Sequence, residues 1–162
     1  MDPKRELLDA LCANARTETA DLARQTGLTE SEVEAAIAEF ESAGTIRGYQ
    51  AIVDWEAVEE GHARAAVELN VTLDRETGYA EVSDRLAKFP EVSSLHLVSG
   101  NYDFLMIVEA SSVRKISRFV SEKVAPVPEV TQTVTHFVME TYKEAGIEMN
   151  GGDDDDRLSV SP

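Results

Sequence analysis

The sequence predicts an α+β protein in two parts. A winged helix-turn-helix comes first, followed by a ferredoxin-like β-α-β-β-α-β unit. Three observations predict it. Apolar residues recur at helical spacing up to Gly44, with a capping box inside that stretch. Residues 63–74 switch to a period of two. Beyond them, period-two and helical segments alternate in the order of a split β-α-β unit.

Each element has its own signal. Leu7, Leu8, Leu11 and Cys12 lie at helical spacing in "KRELLDALCA" (4–13), which places Cys12 on an apolar stripe as a buried small hydrophobe. "ETADLARQT" (18–26) makes a second short helix that stops at Gly27. Thr29 with Glu32 three residues on is a capping box, so a third helix starts there, with Val33, Ala36, Ile37 and Phe40 as its stripe and Gly44 beyond its end. "TIRGYQAIVD" (45–54) reads as an extended wing and linker strand. "WEAVEEGH" (55–62) is a charged connection.

From Ala63 to Leu73 the apolar residues alternate with more polar ones, as in a half-buried strand. Tyr79, Val82, Leu86 and Phe89 follow at helical spacing until Pro90. Leu95–Val98 and Phe104–Val108 are two strands of a hairpin around "SGNYD". Val113, Ile116, Val120 and Val124 form another helical stripe, and Glu129–Tyr142 is β-branched and strand-like. The layout expected is 1–50 for the winged helix-turn-helix, 51–62 as linker strand and connection, 63–145 for the ferredoxin-like unit, and 146–162 as a disordered acidic tail. Both helices of the second part cover one sheet face. The other face stays apolar at several positions, which predicts burial by a second subunit as a dimer or larger.

Composition bounds the function. The chain has 162 residues and a net charge of −16, from 31 acidic and 15 basic side chains. So acidic a protein fits the high-salt cytoplasm of a halophilic archaeon, where ~1 M salt shortens the Debye length to ~3 Å. The charged N-terminus does not read as a secretory signal, the apolar runs are far short of a membrane span, and one cysteine cannot form an internal disulfide. A cytoplasmic setting follows. His62, His96 and His136 are scattered without metal-ligand spacing, and "DDDD" reads as a solvated tail. No catalytic triad, phosphate loop or metal motif is present, so neither catalytic residues nor a cofactor are expected.

Four stretches carry a resemblance: "LLDALCANART", "DLARQTGLTESEV", "AGTIRGYQAIVD" and "LVSGNYDFLMIV". In this order the chain resembles the leucine-responsive/asparagine-operon (Lrp/AsnC) regulators over about residues 3–145. The resemblance implies a transcriptional regulator that binds promoter DNA, with an effector domain of the type called RAM. It also implies an amino-acid effector held between subunits near the hairpin. On that reading Ser99, Gly100, Asn101, Tyr102 and Asp103 form the ligand site, with Thr133 and Thr135 on the last strand as further candidates. Asp103 would pair with the ammonium, and the N–H groups of Gly100 and Asn101 would take the carboxylate. The plainer alternative is a polar turn in which Asp103 caps backbone.

The third helix departs from the family in carrying Glu30, Glu32, Glu34, Glu39 and Glu41 with no Lys or Arg. Two accounts stand side by side. DNA contacts survive through the helix N-terminus, Thr29, Ser31, Arg24 and Arg47, with Glu30 or Glu34 accepting from a cytosine amino group. Alternatively, DNA binding is lost and the module only senses or docks. An enzyme reading also exists, because certain haem-pathway decarboxylases resemble this architecture. There His96 would meet a porphyrin carboxylate.

Overall fold

A computed structural model describes residues 2–58, 61–74 and 78–149. The chain forms two compact units, Met1–Ala51 and Ile52–Pro162.

The first unit holds helices α1 (Pro3–Ala13), α2 (Thr19–Thr26) and α3 (Glu30–Ser42). Asp2 caps α1, accepting from the Lys4 N–H, and Pro3 opens the helix where no N–H is needed. Gly27 ends α2 at a φ of 73°, a left-handed conformation that glycine adopts without strain. The capping box opens α3: the Thr29 hydroxyl accepts from the Glu32 N–H, and the Glu32 carboxylate accepts from the Thr29 N–H at 2.8 Å. A Schellman turn closes α3. The Gly44 N–H donates to Glu41 and the Thr45 N–H to Phe40. Leu7, Leu11, Leu22, Val33, Ala36 and Phe40 form the core. Each fully buried leucine here stabilises by about 1.5–3 kcal/mol.

Two sequence expectations need correction here. Cys12 is exposed, not buried. The buried stripe of α1 is Leu7 and Leu11, and the next residue points about 100° away on a 3.6-residue helix. Residues 45–54, expected as an extended wing and linker strand, carry no strand pairing within this protomer. A strand needs a hydrogen-bonded neighbour, and among the described residues no strand of this protomer pairs with the segment. Only a 3₁₀ turn, Trp55–Ala57, follows, capped by Asp54.

The second unit runs β1 (Ala63–Val71), α4 (Tyr79–Leu86), β2 (Val92–Leu97), β3 (Phe104–Ala110), α5 (Val113–Phe119) and β4 (Val130–Phe137). The antiparallel sheet has the order β2-β3-β1-β4, the ferredoxin-like arrangement. Ala65, Val67 and Leu69 of β1 and Phe104, Met106 and Val108 of β3 point under the helices, onto Val82, Leu86, Ile116 and Phe119. The stripe read through Val124 is not one α-helix. After Phe119 the backbone widens into a π turn, Val120–Val124, closed by the Ala125 N–H on the Val120 carbonyl. That extra residue per turn lets Phe119, Val120 and Val124 all reach the core.

β4 ends at Phe137, short of the Tyr142 expected. A two-strand hairpin follows, β5 (Lys143–Glu144) with β6 (Ile147–Glu148). So 146–149 are part of ordered structure, whereas the expected acidic tail from 150 lies outside the described residues. No helix among the described residues is long and apolar enough to cross a membrane.

The second sheet face has no helix on it. Register puts Arg64, Ala66, Glu68 and Asn70 there with Leu105, Ile107 and Glu109, then Gln132, Val134 and His136. His96 lies opposite Leu105 on the same face.

Candidate functional site

The helix-turn-helix presents α3 with Val33, Ala36 and Phe40 inward. Its exposed side carries Glu30, Ser31, Glu32, Glu34, Glu39 and Glu41. Of the five basic residues among 1–50, three are already paired. Lys4 meets Glu39 at 2.6 Å, Arg5 meets Asp9 at 3.1 Å, and Arg24 pairs with Asp21. Arg24, a DNA candidate from sequence, therefore has to share its charge. Arg47 has no carboxylate partner among the described residues, and its guanidinium lies across Gly44, where a Cβ would come within 3.5 Å of Cζ.

Arg16 is the residue sequence reading missed. It also lacks a carboxylate partner among the described residues. Asn14 fixes its turn: the Asn14 side chain accepts from the Arg16 N–H at 3.0 Å and its carbonyl accepts from the Thr17 hydroxyl at 2.8 Å. The signal lay in "NART", an Asx turn that holds an arginine outward.

The α3 N-terminus is a poorer phosphate site than expected. Thr29 and Glu32 satisfy each other, and the Thr29 hydroxyl lies 2.7 Å from Glu32. Hydrogen bonds from Thr29 hold the Glu32 carboxyl below its usual range. A carboxylate thus occupies the place a phosphate would take. Ser31, Glu30 and Glu34 remain exposed.

In the second unit, the Val98 N–H donates to the Asp103 carbonyl at 2.9 Å and closes the 98–103 loop. Ser99, Gly100 and Asn101 are exposed, and Tyr102 is half-buried. Gly100 has a φ of 134°, in the region favouring glycine, with open space where a Cβ would stand.

Asp103 behaves differently from a free ligand carboxylate. It accepts from the Val71 N–H at 2.9 Å and from the Tyr79 hydroxyl at 3.2 Å, while its own N–H donates to Leu69 at 2.9 Å. It therefore ties the loop to the end of β1 and the start of α4. Hydrogen bonding to Asp103, and then its charge, pushes the Tyr79 phenol up. Asp103 thus has structural partners of its own, beyond the effector ammonium or local turn cap that the sequence suggested. Its tie is to another strand, which no local turn motif announces.

Thr133 and Thr135 are not beside the loop. They sit opposite Leu69 and Val67, half-buried on the helix side of β4. β1 separates β4 from β3, so two strand spacings, about 10 Å, lie between Thr133 and the row of Phe104. No cluster of three metal-ligating side chains occurs among the described residues.

Comparison with known proteins joins the two units. The winged helix-turn-helix DNA-binding model matches residues 2–47, and the Lrp/AsnC ligand-binding domain model matches residues 64–147. The uncharacterized HTH-type transcriptional regulator YugG of Bacillus subtilis is 36% identical over 99% of this chain and 98% of its own. The leucine response regulatory protein of Mycobacterium tuberculosis superposes with a TM-score of 0.74 at 26% identity, over 92% of this chain and 99% of that one. A feast or famine regulatory protein of the same organism, solved with L-methionine, gives 0.71 at 26% identity over 88% and 94%. A helix-turn-helix unit followed by a ligand-binding ferredoxin-like unit, each matched in its own place, identifies the chain as a member of the Lrp/AsnC family of transcriptional regulators.

Proposed function

We propose that this regulator binds operator DNA through its first unit, assembles through the open sheet face of its second, and takes up a free amino acid at the 99–102 loop. The observation that carries the effector reading is the loop itself. It is glycine-bearing and exposed, and it is held in shape by the Asp103 tie at its base. Among the described residues the N–H groups of Gly100 and Asn101 have no backbone acceptor, so they suit a carboxylate. Ser99 adds a hydroxyl. L-Methionine in the related complex is consistent with this ligand class. Asp103 serves as a positioning residue. Thr133 and Thr135 would contribute only through another subunit.

For DNA, Arg47 and Arg16 are the best phosphate contacts, since neither is spent on an ion pair among the described residues. Ser31, Glu30 and Glu34 are placed to meet base edges, with the carboxylates accepting from cytosine amino groups. Arg24 contributes once Asp21 releases it, and Thr29 acts as the cap. Assembly is favoured by Ala66, Leu105, Ile107 and Val134 at the centre of the uncovered face. Charges of both signs surround them, as a self-complementary contact needs.

The acidic exposed side of α3 supports a second reading, a sensing or docking module without DNA binding. Footprinting of the promoter upstream of its own gene decides between them. A discrete protected region supports the regulator, and its absence across a salt series supports the docking module. The decarboxylase reading gains no support from relatives named as transcriptional regulators.

A further inference from the structure

Of the chain's three histidines, His96 and His136 lie on the uncovered sheet face by register, and His62 sits at its edge just before β1. His136 of β4 lies beside Glu68 of β1, Nε2 to Oε1 at 3.0 Å. His62, just before β1, stacks on Trp55 at 4.5 Å and comes within 3.9 Å of Glu109 of β3. His96 of β2 stands opposite Leu105 with no charged partner among the described residues. The fixed charges on this face are few. Arg64 is clamped between Glu109 at 2.9 Å and Glu144 of the β5–β6 hairpin at 2.6 Å. With neutral imidazoles, one arginine therefore faces three carboxylates, leaving two negative charges in excess.

Stacking two copies on this face doubles that excess in a space from which water is being removed. Like charges then oppose contact. Protonating His62 and His136 in each copy cancels it, since each already faces a carboxylate. Imidazole is the side chain whose ordinary range lies between about pH 5 and pH 8, and the chain's one cysteine, Cys12, belongs to the first unit. We propose that assembly through the sheet face is proton-linked: it takes up protons on His62 and His136 and tightens as pH falls from about 8 to about 6. This inference rests on the sheet-face assembly proposed above. The sign follows from the charge count. A group that gains protons on association strengthens association as protons become more available, by up to about tenfold per pH unit for each proton taken up.

The test is sedimentation equilibrium of the full chain at about pH 8 and about pH 6 in about 0.15 M KCl, where screening between exposed charges is moderate. The expected result is a dissociation constant lower by roughly tenfold or more at the lower pH. The double variant His62→Gln/His136→Gln keeps an amide donor near each carboxylate, and its dissociation constant should lose this pH response. Glu68→Gln, which removes one excess charge per copy, should tighten assembly at the higher pH. An oligomer whose affinity is unchanged or weaker at the lower pH overturns the proposal and leaves sheet-face assembly standing. A full pH response retained in the double variant also overturns it. A monomer at both pH values would defeat the assembly reading itself.

Discussion

Replacing Asp103 tests what the effector loop rests on. Its carboxylate accepts a part-buried N–H from Val71 at 2.9 Å and a hydroxyl from Tyr79 at 3.2 Å. In Asp103→Asn the amide oxygen still accepts from Val71, and the amide N–H meets the Tyr79 oxygen, so contacts persist while the charge is lost. A hydrogen bond to a charged group is worth about 1.5–3 kcal/mol and a neutral one about 1, so the change should cost about 1 kcal/mol. Asp103→Ala also leaves the Val71 N–H unsatisfied and should cost about 2–3 kcal/mol. For a domain of this size each kcal/mol lowers the melting temperature by about 4–8 °C. Thermal melts of ligand-free protein should rank wild type above Asn above Ala. Titration of Tyr79, followed by phenolate absorbance, should move down toward the ordinary tyrosine value in both variants, because Asp103 is what raises it. Melting temperatures within about 1 °C of wild type for both variants would refute the tie and return Asp103 to the role of a free ammonium partner.

Glu91→Gln should cost about 0.5–1 kcal/mol at neutral pH, because Lys123 lies 2.8 Å from Glu91 across the top of the second unit. Lys123 holds the Glu91 carboxyl below its usual value, so this stabilisation is present above about pH 4.3 and is lost as pH falls through the lowered value. Melts of wild type and variant should therefore converge in acid, and a constant gap would contradict the pairing. Arg47→Ala and Arg16→Ala should each weaken operator binding and reduce its salt dependence by about one counterion, with melting unchanged, whereas Arg24→Ala should do less. Ile107→Glu places a charge at the centre of the open face and should yield monomer in sedimentation. Assembly at wild-type affinity would show that this face is not the contact.

Most of the architecture was legible because short-range signals and tertiary fold agree. The Thr29–Glu32 capping box, the stops at Gly27 and Gly44, and the alternation from Ala63 all act within a few residues. The misses have longer-range causes. Residues 45–54 have strand-like composition, yet pairing is a property of two segments and no second one lies beside them among the described residues of this protomer. The π turn at Val120 depends on which of Phe119, Val120 and Val124 must reach the core, not on their spacing alone. Asp103 stood out in the sequence as a candidate ligand residue, but its partners include a backbone N–H 32 residues earlier in the chain, which no local pattern announces. Arg16 and Arg47 stand out as cations without a carboxylate partner among the described residues only once the ion pairs of Lys4, Arg5 and Arg24 are known.

On the proposed function, this acidic helix-turn-helix still reads specific DNA and an amino acid alters the reading. Footprinting the region upstream of its own gene, titrated with protein in the presence and absence of single amino acids including L-methionine, tests both halves. The expected result is a bounded protected region whose midpoint concentration shifts at least several-fold with one amino acid, and a shift that disappears in Gly100→Val, where a side chain enters the loop. Protection that is absent at every salt concentration, or spread evenly over the fragment and indifferent to all amino acids, would contradict it.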